Sequence, residues 1–327
     1  MIVEYRSQLL LNNVDSMSNV LIDIHTHSGG IDLSNFLRNR HPYCQDITDL
    51  YFKGKSAAVS HQVVFPMPTS TYYDIPAYWR HGIFLPSGFC NFPFEVENRH
   101  LLQSIQQLPF QNNHFLPFLC FSLQEKVKEQ EDSIIQAILS RSPIVWGFKF
   151  HTSADQKNAL QIERESQFID IATEMQRPIL IHTGFNACAD PIKVLELASR
   201  HPHTFFCAAH FGAFSKTFAK LLKEYPYRNL FFDTSGLISM CNYIRHSERT
   251  DVVDLNYAQP SEVLSFYFSE FPERILWGSD SPWYNSLDLN QENNNTPIYT
   301  YTQEVDIISD LDKAQLARNA LQFLNPL

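Results

Sequence analysis

The chain has 327 residues, of which 44% are hydrophobic, and its formal net charge is −10. This length allows one or two domains with a large core. The acidic balance argues against a general affinity for nucleic acid or anionic membranes, because both reward an excess of Lys and Arg. No apolar run approaches the roughly 18 residues that span a bilayer. The first residues lack a signal-peptide pattern, and the six cysteines form no CxxC pair, so we expect a cytoplasmic protein.

Eight short runs rich in β-branched or aromatic residues predict β-strands, and helical stretches lie between most of them. The predicted strands span residues 20–25, 61–67, 115–122, 144–150, 178–183, 204–210, 229–235 and 274–280. Strands that alternate with helices indicate βα units and a parallel sheet. Eight such units favour closure into a (β/α)8 barrel, the TIM barrel, over an open sheet.

The predicted domain organisation is a single barrel over residues 20–327, preceded by an N-terminal extension over residues 1–19. Two stretches are too long for simple connections and are predicted as insertions. They are residues 68–113 after the second strand and residues 236–259 after the seventh. Long irregular segments in a compact domain are usually functional, and in a barrel the loops that follow strands build the active-site face.

The sequence DIHTH, residues 23–27, carries the strongest local signal. His25 and His27 are two positions apart on a predicted strand, so their side chains point to the same face. Two imidazoles on one face can chelate one cation, and zinc prefers such nitrogen ligands. An isolated pair is more often two ordinary histidines in a polar turn, but here the pair closes the first apolar strand. Asp23 lies deeper on the same face, where we expect it to accept a hydrogen bond from a ligand imidazole.

Three further predicted strands end in a residue that commonly binds metal. His182 ends the fifth strand, His210 the sixth and Asp280 the eighth. In a barrel these strand ends converge on one mouth, where catalytic residues lie. The sequence therefore predicts a metal site at the C-terminal face of the barrel.

The motifs HTH, GFKFH, IHTG, AHFG, FFDTSG and WGSD, in this order, resemble the amidohydrolase superfamily. The most similar subgroup contains aminocarboxymuconate-semialdehyde decarboxylase and related small-acid hydrolases and decarboxylases. The resemblance implies that His25, His27, His182 and Asp280 bind one divalent metal, commonly zinc. It also implies that His210 orients or deprotonates the catalytic water with help from Asp280.

The fourth strand places Lys149 and His151 on one face, opposite two phenylalanines. Lys149 has three interpretations: a cation that contacts a substrate carboxylate or oxyanion, a carboxylated bridge between two metals, or an ion-paired residue inside the barrel. We favour the first, and with it one metal ion rather than two. His151 lies nearer the mouth, where it is either a substrate contact or a satisfied polar side chain.

Three histidines and one aspartate leave an open metal position, where water loses a proton near neutral pH. The sequence therefore predicts hydrolysis of a small carbonyl, amide, ester or lactone substrate, with Asp280, His210 and Lys149 as catalytic residues. Non-oxidative decarboxylation of a small unsaturated or aromatic acid is the alternative, because it needs the same activated water. A non-catalytic barrel would be favoured by a lost ligand position, and none is lost. The expected partner is a small molecule, not nucleic acid or membrane, and a homo-oligomer is compatible with the sequence.

Overall fold

The computed structural model describes residues 20–29, 45–68, 70–108, 114–140, 144–283, 300–308 and 311–325. The predicted N-terminal extension lies outside these residues. The described strands are β1 Ile22–Ser28, β2 His61–Pro66, β3 Phe115–Phe121, β4 Gly147–Phe150, β5 Ile179–Ile181, β6 Phe206–Ala208, β7 Leu230–Asp233 and β8 Ile275–Leu276. Each of them falls within or overlaps one of the strands predicted from the sequence.

The eight strands form one sheet in the order of the chain, and every neighbouring pair from β1 to β8 is parallel. Backbone hydrogen bonds also join the last strand to the first. The Ile24 N–H donates to the Trp277 carbonyl at 2.9 Å, and the Asp280 N–H donates to the His25 carbonyl at 2.8 Å. The predicted (β/α)8 barrel is therefore confirmed.

Helices follow the strands along the chain. Their bounds are α1 Ile47–Ser56, α2 Ile75–His81, α3 Glu95–Gln107, α4 Val127–Ser140, α5 Thr152–Asp155, α6 Leu160–Glu165, α7 Phe168–Glu174, α8 Pro191–Arg200, α9 Lys216–Glu224, α10 Leu237–Arg245, α11 Pro260–Glu270, α12 Tyr301–Asp306 and α13 Lys313–Leu324. Among the described residues, none of these helices has the length and apolar character needed to cross a membrane. Helices α2 and α3 lie in the segment between β2 and β3 that the sequence predicts as an insertion.

Side chains alternate along each strand between the barrel interior and the layer that lies between the strands and the helices. On β5 and β6, Leu180 and Cys207 belong to the interior cluster, whereas their neighbours along each strand pack in the outer one. Lys149 on β4 pairs in register with Leu180 and with Cys120 of β3. Residues in register across a parallel sheet share a face, so Lys149 points into the barrel.

Strand β1 is longer than predicted. It continues past His25 as far as Ser28, so that His25 and His27 lie within the strand and not at its end. The pairing of β1 with β2 also shifts register between Asp23 and Thr26, which marks a β-bulge. Bulges change the direction of nearby side chains and are frequent beside active sites.

Candidate active site

His25 and His27 direct their Nε2 atoms to the same carboxylate oxygen. The Nε2 atoms lie 3.3 Å and 3.4 Å from Oδ1 of Asp280. At the other side of the rings, Nδ1 of His25 contacts Asp233 Oδ2 at 2.8 Å and Nδ1 of His27 contacts the Pro66 carbonyl at 3.2 Å. Carboxylate and carbonyl oxygens only accept hydrogen bonds, so each ring carries its proton on Nδ1 and presents the Nε2 lone pair.

Three acceptor atoms therefore converge on one point, and this arrangement fits a cation. Burial, together with the charge of Lys149, lowers the pKa of His25 to about 3 and that of His27 well below its usual value. Both rings are uncharged near neutral pH. Facing acceptors of this kind are stabilised by a nearby cation, and the Lys149 ammonium lies 3.2 Å from His25 Nε2. Nitrogen and carboxylate ligands of this set suit zinc.

His210 lies beside the same carboxylate. Among the described residues, His25, His210 and Asp280 form a group of potential metal ligands, which we call the tightest group because their ligand atoms all lie within 4.8 Å of one another. His27 is outside that group, although its Nε2 also approaches Asp280. His210 Nδ1 contacts the Ser235 carbonyl at 3.0 Å and is 3.9 Å from Asp280 Oδ2. Since the carbonyl only accepts, Nδ1 carries the proton and Nε2 accepts a hydrogen bond from Nδ1 of His182.

His182 lies next to His210 and outside the tightest group. Its Nδ1 is 3.1 Å from Nε2 of His210. Its ring stacks on that of His151, with centroids 4.0 Å apart, and Nδ1 of His151 accepts the Ala154 N–H at 3.0 Å to cap α5. Burial lowers the pKa of both His182 and His151 well below the usual value. The ligand role of His182 and the substrate role of His151 stay predictions.

Lys149 is buried at the end of the barrel where His25, His27 and Asp280 converge. Its Nζ is 3.2 Å from Nε2 of His25 and 4.5 Å from the centroid of the Phe65 ring. Burial lowers its pKa to about 8, although the carboxylates of Asp233 and Asp280 act in the opposite direction. The ammonium group is therefore mostly charged at neutral pH. It supplies a cation next to the predicted metal site, as the favoured interpretation of this residue requires.

In the metal-free protein, Lys149→Met is expected to increase stability at neutral pH. The pKa of Lys149 is about 8 in the fold, against a usual value of 10.5, so the folded state binds fewer protons between these values. Burying the charged ammonium lowers the free energy of unfolding. This loss is fully present below pH 8 and disappears as the pH rises toward 10.5. Urea denaturation of both proteins at about pH 7 and about pH 10 measures this change. A stability difference that is the same at both pH values would contradict it.

Asp233 holds two of the site histidines, a role that the sequence did not assign. Besides His25, it contacts His210 and Ser235, whose N–H groups donate to Oδ1 at 2.9 Å and 3.0 Å. Burial by itself would raise the pKa of Asp233, but the contacts with His25, His210 and Ser235 outweigh burial and hold the pKa below its usual value. An ionised Asp233 fixes both the position and the tautomer of His25.

The prediction that Asp23 accepts a hydrogen bond from a ligand imidazole is wrong. Its carboxylate instead accepts the backbone N–H groups of His25 and Ser279, at 3.1 Å and 3.0 Å, and the Tyr301 hydroxyl at 2.8 Å. Asp23 therefore supports the site by joining β1 to the segment after β8.

The backbone at the end of β6 forms a left-handed turn from His210 to Phe214. All five residues have positive φ, between 54° and 57°. This conformation costs about 1–2 kcal/mol per non-glycine residue, so surrounding packing must hold it. Phe211 and Phe214 stack at 4.7 Å, and a Cβ on Gly212 would lie 2.4 Å from the Phe218 ring. The predicted sixth strand extends to His210, but this turn ends it at Ala208.

Asp280 also leaves the strand conformation. The eighth strand is predicted to reach Asp280, yet β8 ends at Leu276 and Asp280 has a φ of 62°. Aspartate tolerates left-handed backbone better than most residues. In this left-handed conformation, the Asp280 backbone pairs with β1 while its carboxylate faces His25 and His27.

Gly278 is the point of closest approach between the last strand segment and His25. A Cβ on Gly278 would lie 2.8 Å from the His25 Cβ, which is too close for unstrained packing. We expect Gly278→Ala to displace His25 and to weaken metal binding by about 10- to 100-fold. Competition with a zinc chelator measures this change. A zinc affinity equal to that of the native chain would contradict the expectation.

These groups open into a cavity of about 630 Å³ at the C-terminal ends of the strands. Its described lining includes all the sequence-predicted site residues: His25, His27, Lys149, His151, His182, His210 and Asp280. Asp155 in α5, Phe84 and Met240 also line it and were not singled out from the sequence. The predicted site residues are recognisable from short polar motifs at strand ends. No local sequence pattern distinguishes the additional lining residues.

Solved structures with the same fold come from several bacteria. They include a Pseudomonas putida protein assigned as a 2-pyrone-4,6-dicarboxylic acid hydrolase, with a TM-score of 0.57, 15% identity and coverage of 93% of this chain and 98% of that one. An amidohydrolase from Burkholderia multivorans with bound zinc has a TM-score of 0.59, 12% identity and coverage of 94% and 99%. The 4-oxalomesaconate hydratase of Rhodopseudomonas palustris has a TM-score of 0.57, 15% identity and coverage of 93% and 95%.

Comparison with curated protein sequences found no match. A family model does match: that of Amidohydro_2, described as amidohydrolase, aligns with residues 100–319. This match covers more than half of the chain and includes His182, His210 and Asp280. The chain therefore belongs to the amidohydrolase family of enzymes.

Proposed function

We propose that this protein is a metal-dependent hydrolase that acts on the carbonyl group of a small amide, ester or lactone. One observation carries the proposal: the Nε2 lone pairs of His25 and His27 converge on Asp280 Oδ1 within 3.4 Å. The same carboxylate has His210 on its other side, with Nδ1 of His210 3.9 Å from Oδ2. Ligands and a proton acceptor in one cavity are the parts that hydrolysis requires.

His25, His27 and Asp280 would hold the ion, with His182 as the further ligand that the family resemblance implies. We propose a single ion, most simply zinc, in a cytoplasmic enzyme. Zinc in such a site polarises a carbonyl oxygen and activates water. The chain itself holds one of these ligands in place, because Asp233 fixes the orientation of His25.

His210 and Asp280 share the handling of protons, and charge stabilisation falls to Lys149. Nδ1 of His210 donates to the Ser235 carbonyl and lies 3.9 Å from Asp280 Oδ2, so His210 would orient the water while Asp280 takes up its proton and returns it to the leaving group. The ammonium of Lys149 lies 3.2 Å from His25 Nε2, close enough to the ligands to donate to an oxyanion at the reacting carbon.

Decarboxylation of a small acid is the second candidate. It is favoured by the same Lys149, because a buried cation beside the ligands would hold a substrate carboxylate. This reaction would use the site without an acyl leaving group. The two candidates differ in their products, which are an acid from hydrolysis and carbon dioxide from decarboxylation.

Removal and restoration of the metal test the proposal. The protein is purified without chelator, its metal is measured by mass spectrometry, and turnover of neutral lactones, aryl esters and anilides is followed by proton release. We expect chelation to abolish turnover and about one equivalent of zinc to restore it. Undiminished turnover in the metal-free protein would rule out the proposal. Carbon dioxide release from aromatic acids without any hydrolysis would favour the second candidate.

A further inference from the structure

The wall of the active-site cavity is rich in aromatic rings. Tyr73, Tyr78 and Phe84, from the segment between β2 and β3, line it together. Tyr78 and Phe84 are stacked with centroids 4.6 Å apart, and Tyr73 meets Phe84 edge to face at 5.1 Å. Packing of this kind holds flat apolar surfaces in fixed orientations.

Other elements continue the apolar lining around the cavity. Phe185 follows β5, Met240 lies in α10, and Trp283 follows β8. The Phe185 ring is held by stacking on Tyr243 at 5.1 Å, and Trp283 lies edge-on to His27 at 6.2 Å. The apolar surface therefore reaches from the entrance of the cavity to the histidines.

Charged groups in the described lining are few and mostly acidic. Lys149 is the single lysine or arginine among the described residues that line the cavity, and it lies against His25. Asp155 lines the cavity too, and its carboxylate is held by the Leu123 N–H at 2.8 Å and by the Ser122 hydroxyl. The remaining polar lining is neutral, from Ser70, Ser153, Gln156, Asn186 and Ser239.

A substrate carboxylate can therefore find one cationic partner from the described lining, at the end of the cavity where the metal ligands lie. A second carboxylate would enter an aromatic wall that also carries Asp155. Burying an unpaired charge is strongly unfavourable, and a nearby like charge increases the cost. A flat apolar body, in contrast, gains favourable contact with Tyr78 and Phe84.

We propose that the substrate is a neutral or singly charged molecule with a flat apolar body of one or two rings, and that dicarboxylates are poor ligands. This proposal rests on the proposed function in that the reacting carbonyl lies at the metal-ligand end. It adds that the aromatic segment between β2 and β3 determines specificity.

Binding of two matched acids to the zinc-reconstituted full chain tests the proposal. The probes are 2-naphthoate and naphthalene-2,6-dicarboxylate, which share one ring system and differ by one carboxylate. Isothermal titration calorimetry is expected to show tighter binding of 2-naphthoate by about tenfold or more. Phe84→Ala is expected to weaken 2-naphthoate binding by about fivefold, because one aromatic contact is lost.

A second pair of variants tests the effect of a positive charge in the aromatic wall of the cavity. Met240→Arg is expected to tighten dicarboxylate binding by about tenfold, whereas Met240→Leu, which keeps the wall apolar, leaves it unchanged. Equal binding of the two acids by the native chain would overturn the proposal, and so would failure of 2-naphthoate to bind. Because neither acid is turned over by hydrolysis, binding is measured even if the enzyme hydrolyses nothing. Failure of the proposed function is thus distinguished from failure of this inference.

Discussion

Replacing either His25 or Asp280 by alanine is expected to lower turnover by about 10³-fold or more and to remove the bound metal. Each residue supplies an atom to the set of three converging acceptors, so either change leaves too few ligands. The fold should survive, because barrel stability rests on the apolar layers and not on the mouth. Metal content by mass spectrometry, turnover and circular dichroism on the same preparations check these three expectations.

His203→Ala is the control for loss of a histidine away from this site. His203 is exposed and lies before β6, in a groove separate from the active-site cavity. We expect its metal content and turnover to match those of the native chain. If the His25 and Asp280 variants both retained metal and full activity, the site assignment would be wrong.

Lys149→Met is expected to lower turnover by about 10² to 10³-fold while metal content stays near one equivalent. The ammonium lies 3.2 Å from His25 Nε2 but is not needed to complete the set of metal ligands. A carboxylated lysine that bridges two ions would behave differently, since its loss would release a metal. Turnover and metal stoichiometry, measured with and without bicarbonate, separate the two interpretations.

Cys120→Ala controls for disturbance of the barrel interior. Cys120 pairs in register with Lys149 and is buried in the same interior, so its truncation changes packing without removing a charge. We expect full metal content and near-native turnover in this variant. Two equivalents of metal in the native enzyme, falling to one in Lys149→Met, would contradict the one-ion proposal.

Burial on both faces explains why the strands could be predicted from the sequence. The strands of a closed parallel barrel are covered on both sides and therefore appear as short continuous apolar runs. Residues that can bind metal, such as His182 and Asp280, are recognisable because they interrupt the apolar pattern at the end of a predicted strand. The architecture and the set of cavity-lining polar residues follow from these two patterns.

Contacts made across the barrel could not be predicted in the same way. The pairing of Asp233 with His25 joins residues 208 positions apart, and the face of Asp233 in FFDTSG depends on where β7 ends. The left-handed turn after β6 is determined by tertiary packing, such as that of Phe218 against Gly212. The aromatic cavity wall is also hidden in the sequence, because Tyr73 and Phe84 follow no helical or strand period.

The junction between β8 and β1 has a kinetic consequence. Backbone hydrogen bonds there involve His25 and Asp280, and Ser279 contacts Asp23 across a sequence separation of 256 residues. Closing so large a loop is entropically costly and tends to come late in folding. The active site should thus be assembled in the final stage of folding, after most helices have docked. In refolding experiments, recovery of metal affinity should lag behind the formation of helix measured by far-ultraviolet circular dichroism.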